Sequence, residues 1–497
     1  MVFPGRLSTG CYVCRKRKVK CDGAKPACQR CTQYGRQCTG YPDNFVFRDC
    51  TPRKVSRNIP SLSLQSRQHT SADQGPLDTP AIVQDAPLRP NLPVCTDWRS
   101  VCNFMHEFVL PVHKSPCEGH LAFFPDFYHE KCGNLCLKHA VLSVSYFTMF
   151  NKYGNWELQH QARKNYGQAL SLLRETLRRD QSVVQDENFA VCLLLSLVFD
   201  LSPERGKSSN PHLFGVSRML FCRGQHQFRS KWTRYLLGWV ITNIQVQAIV
   251  TSQFEYARLP TAIHTMAMPD NVYRSAIVNS MIAEYLISAR DIRRSMVAHG
   301  SCIQEQRDSV IKILEKSSRL IREINIWHDS IPKHWKSQYE NQPGDYLPQG
   351  SPSRRDPWTT CFLAVTNACQ IMFYLDVIRW YHESLFLQVA SDVVLHFGNI
   401  PETVAYLEAR IQSLIGIICL AVTATVGLCN DKGQFELLPN AKLANANTLL
   451  WPMCVVSHCP FSNAQQVFLC KQGLEAVGSS MGHMLAFSLL HSMELHT

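Results

Sequence analysis

The sequence predicts a small cysteine-rich module, a linker and then a large all-α domain. Three observations support this fold class: six clustered cysteines near the start, a proline-rich stretch after them, and long apolar segments at helical spacing in the remainder. With 497 residues, of which 45% are hydrophobic and 18% charged, the chain can bury a large core. This composition excludes a mainly disordered protein.

The positive charge is concentrated in the first 57 residues. The chain has a formal net charge of +12, and residues 1–57 hold 13 Lys/Arg against 3 Asp/Glu, so the other 440 residues are nearly neutral. Such a block is typical of a module that binds a polyanion. The alternative is a solvated basic tail, and the cysteines in the same stretch decide between the two.

The 22 cysteines indicate a reducing compartment rather than a disulfide framework. Residues Met1–Arg6 show neither an apolar segment nor a cleavage pattern, so we predict no secretory signal. The sixteen cysteines from Cys50 to Cys470 are then expected to behave as small core residues. The longest apolar run, Leu414–Cys429, is shorter than the ~18 residues that span a bilayer. We interpret it as a buried helix and predict no membrane partner.

The clustered cysteines form an internal repeat. Two halves share the spacing C-x2-C-x6-C and lie 17 residues apart: Cys11, Cys14 and Cys21, then Cys28, Cys31 and Cys38. A C-x2-C pair at the start of a short helix places two thiolates on one metal, which predicts two short helices. Two tetrahedral zinc ions need eight metal–sulfur bonds, so six cysteines suffice only if two of them bridge both ions. About 40 residues bury too little apolar area to fold without such metal.

A run of cations lies between the second and third cysteines. The stretch RKRKVK places five cations in six positions, on a short helix that we expect to end near Cys21. These cations are expected to favour the thiolate form of the cysteines. A helix in the major groove can place one or two such side chains against guanine while its neighbours contact phosphates. The run is also a candidate nuclear import signal.

The segment GCYVCRKRKVKCDGAKPACQRCTQYGRQC resembles the Zn(II)2Cys6 binuclear cluster of fungal transcription factors. Pro26 in the loop between the halves, and GYPDNFVFRD after them, are also similar to that family. The resemblance implies two zinc ions per chain, held by the six cysteines, with Cys11 and Cys28 bridging. It further implies that double-stranded DNA is bound at CGG-type sites, with Lys18 reading bases and Arg17 beside it.

The flanking cations are assigned to the DNA backbone. Arg15 and Lys20 are the best placed for phosphates, and Lys25, Arg30 and Arg36 are weaker candidates. A run of charged residues is usually only a solvated face. A run that is enclosed by six cysteines at metal-ligand spacing instead indicates nucleic-acid binding. The alternative for the module is a zinc-stapled fold without a role in nucleic-acid binding.

A linker separates this module, residues 1–48, from the rest of the chain. Residues 51–93 hold seven of the 26 prolines, so we predict a flexible linker over residues 49–94. Leu62, Leu64 and Leu77 do not give two consecutive heptads, so no coiled coil is evident. Dimerisation stays open: one chain on a single half-site, or pairing through the C-terminal domain.

Residues 95–497 are predicted to form one all-helical domain. Apolar residues recur at helical spacing, for example from Tyr166 to Leu177 and from Val310 to Trp327, and no alternating strand pattern competes with them. Residues 342–357 are predicted to be a loop. The other helical candidates are His129–Phe150, Phe189–Phe199, Trp232–Phe254, Val272–His299, Cys361–Leu385, Thr403–Cys429 and Asn463–Leu490.

Three stretches of this domain resemble the regulatory domain that accompanies such zinc clusters: CLKHAVLSVSYF, INIWHDSIPKHW and LLWPMCVVS. The resemblance implies a nuclear, sequence-specific regulator of genes transcribed by RNA polymerase II, in a family where biosynthetic gene clusters are common targets. The helical domain is then expected to sense a small-molecule effector or to bind a co-regulator. The alternative is a helical protein-interaction scaffold whose zinc module binds nucleic acid nonspecifically.

Motifs of enzymes and of further metal sites are weak or missing. A P-loop, a G-x-S-x-G elbow and a dinucleotide fingerprint are all absent, and Gly133 interrupts the H-E-x-x-H pattern that begins at His129. We therefore predict no enzyme. One further group of residues could form a third metal site: Cys117, His120, Cys132 and Cys136. Its spacing fits no common metal-binding pattern, so core packing is the favoured interpretation. Core packing is also the favoured fate of four tryptophans that could instead line a ligand pocket: Trp232, Trp239, Trp327 and Trp451.

Overall fold

The computed structural model describes two separate parts of the chain. They comprise residues 11–22, 24, 27–38, 96–110, 120–178, 185–202, 210–223, 230–251, 270–298, 303–332, 357–387, 391, 393, 398–430 and 432–490. The chain divides into two units, residues 1–88 and 89–497, and each unit is described by itself. The predicted linker lies outside the described residues, as does the predicted loop up to residue 356, so both stay predictions.

The small unit contains the two short helices that the cysteine spacing predicts. Helix α1 spans Tyr12–Lys16 and helix α2 spans Gln29–Gln33. Each begins directly after the first cysteine of its half. Two helices so short are not stable by propensity, so their stability depends on what the buried cysteines bind.

Both helices end in the same way, and α1 ends earlier than predicted. After α1, Lys18 adopts a left-handed backbone with φ 54°, and the amide of Val19 donates to the carbonyl of Cys14 at 3.0 Å. After α2, Gly35 has φ 63° and the amide of Arg36 donates to the carbonyl of Cys31 at 3.1 Å. This left-handed cap stops α1 at Lys16 rather than near Cys21, so the end predicted from the cation run was wrong.

The described residues of the large unit are almost entirely helical, as predicted. Its described helices are α3 (Thr96–Phe108), α4 (Phe124–Glu130), α5 (Leu135–Tyr153), α6 (Trp156–Leu177), α7 (Asp186–Leu201), α8 (Pro211–Arg223), α9 (Lys231–Thr251), α10 (Asp270–Ala298), α11 (Ile303–Ser330), α12 (Pro357–Phe386), α13 (Ile400–Thr425), α14 (Leu443–His458), α15 (Ala464–Ser479) and α16 (Met484–Leu490). A short antiparallel hairpin follows α13, with β1 at Gly427–Cys429 and β2 at Phe435–Leu437. The sequence did not predict this hairpin, because three-residue strands are too short to show an alternating pattern.

One continuous hydrophobic core joins these helices. Helix α12 lies at its centre, because it is apolar on all sides and packs against α10, α13 and α14. Helix α5 forms a second centre and packs against α6 and α7. The predicted core role of the scattered cysteines holds for several of them, including Cys192, Cys369 and Cys470, each with 5% exposure or less. It is wrong for Cys102 and Cys222, which are exposed.

Helices α12 and α13 are long and apolar enough to cross a membrane, judged by length and composition alone. In α12, 89% of the most apolar stretch is buried inside the protein, and in α13 the share is 44%. Helix α12 is therefore a core helix, and α13 buries one face that includes Leu414, Ile415 and Ile418. The predicted absence of a membrane partner stays a prediction.

A buried ion pair joins α10 to α12. The Nη1 of Arg293 lies 2.5 Å from Oδ1 of Asp376, and its Nε lies 2.9 Å from Oε1 of Glu383. The guanidinium lies over the ring of Trp380, 4.3 Å from its centre, and the indole nitrogen of Trp380 donates to Asp376 at 3.0 Å. Burial alone would lower the pKa of Arg293, but the two carboxylates outweigh it and raise that pKa.

Candidate metal centre and nucleic-acid interface

The described sulfur atoms of the small unit form two groups of four. Cys11, Cys14, Cys21 and Cys28 make one group, and in each group the four Sγ atoms lie within 4.8 Å of one another. The second group consists of Cys11, Cys28, Cys31 and Cys38. Two cysteines, Cys11 and Cys28, belong to both groups. This is the arrangement that two tetrahedral ions sharing two sulfur ligands require.

The spacing of the sulfur atoms fits zinc. Zn–S bonds of about 2.3 Å in a tetrahedron place neighbouring sulfurs about 3.8 Å apart. The Sγ of Cys11 lies 3.6 Å from that of Cys28 and 3.6 Å from that of Cys31, and the Sγ atoms of Cys14 and Cys28 are 3.7 Å apart. The donor set and the distances therefore both suit a zinc-thiolate cluster.

Backbone amides point at the cysteine sulfurs and repeat across the two halves. The amide of Cys14 donates to Sγ of Cys11 at 3.4 Å, and the amide of Cys31 donates to Sγ of Cys28 at 3.3 Å. In addition, the amide of Cys11 donates to Sγ of Cys21 at 3.4 Å. Such hydrogen bonds orient metal ligands and stabilise negative charge on sulfur.

Burial acts against the thiolate form in this cluster. It raises the pKa of the Cys14 thiol to about 12, and it also raises the pKa of the Cys28 and Cys31 thiols. Burial dominates these pKa values, and the expectation that neighbouring cations favour the thiolates stays a prediction. A bound zinc ion deprotonates a coordinating thiol outright, so the metal itself would supply the missing charge.

Asp22 links the two halves of the module. Its carboxylate accepts hydrogen bonds from the amides of Gln29 at 3.0 Å and Arg30 at 3.3 Å, the first two residues of α2. These bonds lower the pKa of Asp22. This role of Asp22 was not predicted from the sequence. Two signals for it were present: Asp22 is the only acidic residue of the repeat, and a carboxylate near the start of a helix is a common cap.

The predicted DNA-contacting cations lie on and after α1. The side chains of Lys18 and Lys20 are exposed, as are Lys16, Arg30 and Arg36, whereas nothing is described for the side chains of Arg15 and Lys25. The left-handed backbone at Lys18 ends the helix, so Lys18 and Lys20 project from the turn beyond α1 rather than from a helix face.

Arg17 has a different environment from its neighbours. Its guanidinium lies over the ring of Tyr34, 3.5 Å from the ring centre, and Tyr34 follows directly after α2. A stacked arginine of this kind contributes about 0.5–2 kcal/mol. The contact joins the two halves and holds Arg17, so its geometry indicates a structural role besides the predicted one next to Lys18.

Among the described residues, the weak third metal site is not assembled. Cys136 is buried and its Sγ donates to the carbonyl of Ala169 at 3.3 Å, whereas Cys132 is exposed because α5 begins only at Leu135. The structure therefore supports core packing for Cys136 and corrects that expectation for Cys132. Cys117 lies outside the described residues, and within them the metal-competent groups are those of the small unit.

Two family descriptions match the chain. Residues 9–45 match the fungal Zn(2)-Cys(6) binuclear cluster domain, and residues 99–487 match the fungal specific transcription factor domain. Together they cover most of the chain and both of its units. No solved structure matches it.

Similar proteins match a short part of this chain. Transcriptional regulatory protein moc3 of Schizosaccharomyces pombe is 51% identical over 63 residues, 13% of this chain and 12% of that protein. White-opaque regulator 2 of Candida albicans is 41% identical over 63 residues, 13% of each chain. The aspercryptin biosynthesis cluster-specific transcription regulator atnN of Emericella nidulans is 54% identical over 67 residues, 13% of this chain and 11% of that protein. Each match spans only about an eighth of the relative's length.

Proposed function

Because the chain belongs to the family of fungal transcription factors with a two-zinc, six-cysteine cluster, we propose that it is a nuclear, sequence-specific regulator of transcription. In this family of regulators, which are not enzymes, the cluster holds two zinc ions and binds DNA. The six cysteines of the two sulfur groups would hold these ions, with Cys11 and Cys28 as the bridging pair. The observation that carries the proposal is that exactly these two sulfurs are common to both groups.

The finer assignment concerns the DNA sequence that is read. We propose a CGG-type site, with Lys18 contacting base edges in the major groove and Arg15 and Lys20 contacting phosphates. Lysine at guanine O6 and N7 is a common specific contact. Two observations support Lys18: its side chain is exposed, and it occupies the position that Gly35 takes in the other half of the repeat. A lysine kept where glycine is the easier residue suggests a function for its side chain.

We further propose regulation of a biosynthetic gene cluster. The support is the relative from Emericella nidulans, whose name assigns it to such a cluster, and the family resemblance of the N-terminal segment. Nuclear location is proposed on the same basis, with RKRKVK as the import signal. Mapping the genomic sites that the chain occupies, and its location in the cell, tests both proposals.

A mobility-shift titration with the zinc-loaded full chain tests sequence-specific binding. We expect the chain to bind a CGG-containing duplex about a thousandfold more tightly than a scrambled duplex. Lys18→Gly is the informative variant, because glycine fits the left-handed backbone and leaves the zinc module folded. We expect this variant to lose most of the preference for the CGG duplex.

Lys20→Ala is the matched control in the same titration. It removes an exposed cation two residues away, and we expect it to weaken binding to both duplexes equally and to lower the salt slope by about one unit. Equal affinity of the unmodified chain for the two duplexes would contradict the proposal and favour the scaffold alternative. An unchanged salt slope would show that Lys20 does not contact the backbone.

A further inference from the structure

The stack of Arg17 on Tyr34 joins equivalent positions in the two halves of the zinc module. These residues are 17 positions apart, as are Cys11 and Cys28, whose Sγ atoms lie 3.6 Å from each other. A contact between equivalent residues lies at the pseudo-twofold axis that relates the halves. The side chain of Arg17 therefore reaches from its own half of the module to the other half.

The stack covers part of the Arg17 guanidinium. The central carbon of this group lies 3.5 Å from the centre of the Tyr34 ring, and its Nη1 atom is buried. Among the described residues, Nη1 has no hydrogen-bond partner. A base or a phosphate cannot reach an atom that has no accessible surface. While the stack persists, Arg17 is thus unable to make the bidentate contact that uses both Nη atoms.

The neighbouring cations are not restrained in this way. The side chains of Lys18 and Lys20 are exposed, and the left-handed backbone of Lys18 follows directly after Arg17. A buried donor without a partner is unfavourable, so Arg17 would gain from pairing with a phosphate instead. The attraction between its cation and the ring of Tyr34 opposes that release.

The ring of Tyr34 has little to do in the module apart from this contact. It is 61% exposed, and the apolar side chains packed against the cysteine core are those of Val13 and Val19. The backbone amide of Tyr34 donates to the carbonyl of Cys31 at 3.2 Å, which does not require the ring. Among the described residues, the aromatic interaction of Tyr34 is the one with Arg17.

A withheld cation affects right and wrong DNA sequences differently. Nonspecific complexes are held by phosphate contacts, so a free arginine finds a phosphate wherever the module lies on the duplex. In a specific complex the base contacts fix the position of the module, and an added cation gains only if a phosphate lies within its reach. Withholding Arg17 therefore weakens binding to wrong sequences more than binding to the right one.

We propose that Tyr34 is a positioning residue that determines the specificity of DNA binding. Its ring holds Arg17 against the second half of the module and away from the duplex, so that Lys18 reads bases without a free arginine beside it. Arg17 then has a different role from the DNA contact that the family resemblance implies. The inference rests on the proposed function, because it takes Lys18 as the residue that reads bases.

A mobility-shift titration of the zinc-loaded full chain at several salt concentrations tests this role with Tyr34→Leu, which removes the ring. We expect the variant to bind the scrambled duplex about tenfold more tightly at about 0.1 M salt, with a salt slope steeper by about one unit, because Arg17 gains a phosphate. Binding to the CGG duplex is expected to tighten by less than about threefold, so the preference for CGG falls.

Tyr34→Phe is the matched control. It removes the hydroxyl but keeps the ring that holds Arg17, so we expect both affinities to stay within about twofold and the salt slope to stay the same. If released Arg17 causes the effect, Tyr34→Leu should change nothing in an Arg17→Gln background. The double variant and Arg17→Gln alone are therefore expected to have equal salt slopes.

Elemental analysis for zinc checks that each variant still binds two ions per chain. If Tyr34→Leu does not, Tyr34→Gln, which also lacks the ring, replaces it. Loss of zinc from both variants would show that the ring is needed for folding and would overturn the proposal. An unchanged salt slope in the zinc-loaded variant would also overturn it, as would equally weakened binding to both duplexes, the result expected of a merely structural ring.

This test fails separately from the test of the proposed function. The salt slope on the scrambled duplex requires DNA binding but no sequence preference, so it shows whether Tyr34 withholds Arg17 even if the unmodified chain binds both duplexes equally. Equal binding would contradict the sequence-specific regulator. A strong preference for the CGG duplex together with an unchanged slope in Tyr34→Leu would contradict only the role of Tyr34.

Discussion

Lys18 and Gly35 occupy equivalent positions in the two halves of the zinc module, 17 residues apart, and both have a left-handed backbone. A residue other than glycine pays roughly 1–2 kcal/mol for this conformation. The spacing of the cysteines predicted the halves and the two short helices, but not this conformation, because RKRKVK contains no glycine to mark the helix end. The end is instead enforced by the hydrogen bond from Val19 to Cys14.

At the same scale, the buried Arg293 is expected to be important for stability. Arg293→Ala leaves Asp376 buried without its cation, so we expect the free energy of unfolding to fall by about 3–5 kcal/mol in denaturant titration. Arg294→Ala is the control, because the pair of Arg294 with Asp291 is exposed and 3.7 Å long, and its loss is expected to cost less than about 1 kcal/mol. Similar losses in the two variants would show that the buried pair adds nothing beyond a surface charge.

The buried His212 gives the large unit a pH dependence. Burial lowers its pKa from 6.5 to about 4, and its Nε2 lies 2.7 Å from the hydroxyl of Tyr166. Because the unfolded chain takes up this proton at higher pH than the folded chain, the contribution of His212 is present above pH 6.5 and lost as pH falls toward 4.

His212→Gln removes this titration. We expect the unmodified chain to lose about 2 kcal/mol more of its unfolding free energy than the variant over that acid range. The measurement is denaturant unfolding of both proteins at several pH values. Parallel stability curves for the two proteins would rule out a contribution from His212.

At the scale of elements, long apolar periodicity predicted helices well and their interruptions poorly. The predicted helix over Asn463–Leu490 is two helices, α15 and α16, because Gly482 between them has φ 77°. Helix α14 was not among the helical candidates, and it contains Pro452, yet burial on all sides retains the helix. The sequence shows which residues are apolar, whereas the contacts that bend or end a helix come from distant segments.

Gly482 illustrates such a distant contact. The side-chain nitrogen of Asn151 donates to the carbonyls of Leu201 at 2.8 Å and Gly482 at 2.7 Å, which ties the ends of α5 and α7 to the turn before α16. A Cβ atom on Gly482 would lie 2.5 Å from Cβ of Asn151. No local pattern in the sequence indicates this contact, because the two residues are 331 positions apart.

Gly482→Ala is therefore expected to destabilise the large unit by more than about 3 kcal/mol, from backbone strain and overpacking together. Gly154→Ala is the matched control: Gly154 also has a positive φ, 69°, but nothing lies within 4 Å of its added Cβ. We expect a loss of only about 1–2 kcal/mol there. Thermal unfolding of both variants makes the comparison, and equal shifts in Tm would refute the packing argument.

At the scale of the whole molecule, the organisation into a zinc module and a helical domain was predictable from the sequence, but a cavity of about 580 Å³ in the large unit was not. Charge and cysteine spacing located the zinc-cluster module, and apolar periodicity located the helical domain. Two of the tryptophans for which the sequence favoured core packing, Trp239 and Trp451, line this cavity. An empty space depends on how several helices pack, and no local pattern such as the one around Trp451 or Asn279 reports it. Both residues look like ordinary helix positions in the sequence.

The two units are expected to respond differently to metal removal. Because the small unit has little apolar core of its own, chelation is expected to unfold residues 10–40 and abolish DNA binding. The helical signal in far-ultraviolet circular dichroism should stay nearly constant, since α1 and α2 contribute only five residues each. Zinc should restore DNA binding. A large loss of helical signal on chelation would mean that the big domain also needs the metal.

Cys11 and Cys28 belong to both sulfur groups, so each metal position depends on the same two atoms. Oxidation or alkylation of either one would damage both coordination spheres at once, and a half-loaded form would have little to stabilise it. Under oxidative stress, the module should then lose both metals in a single cooperative step rather than one after the other. Under the proposed function, control of transcription would then be lost completely rather than in part.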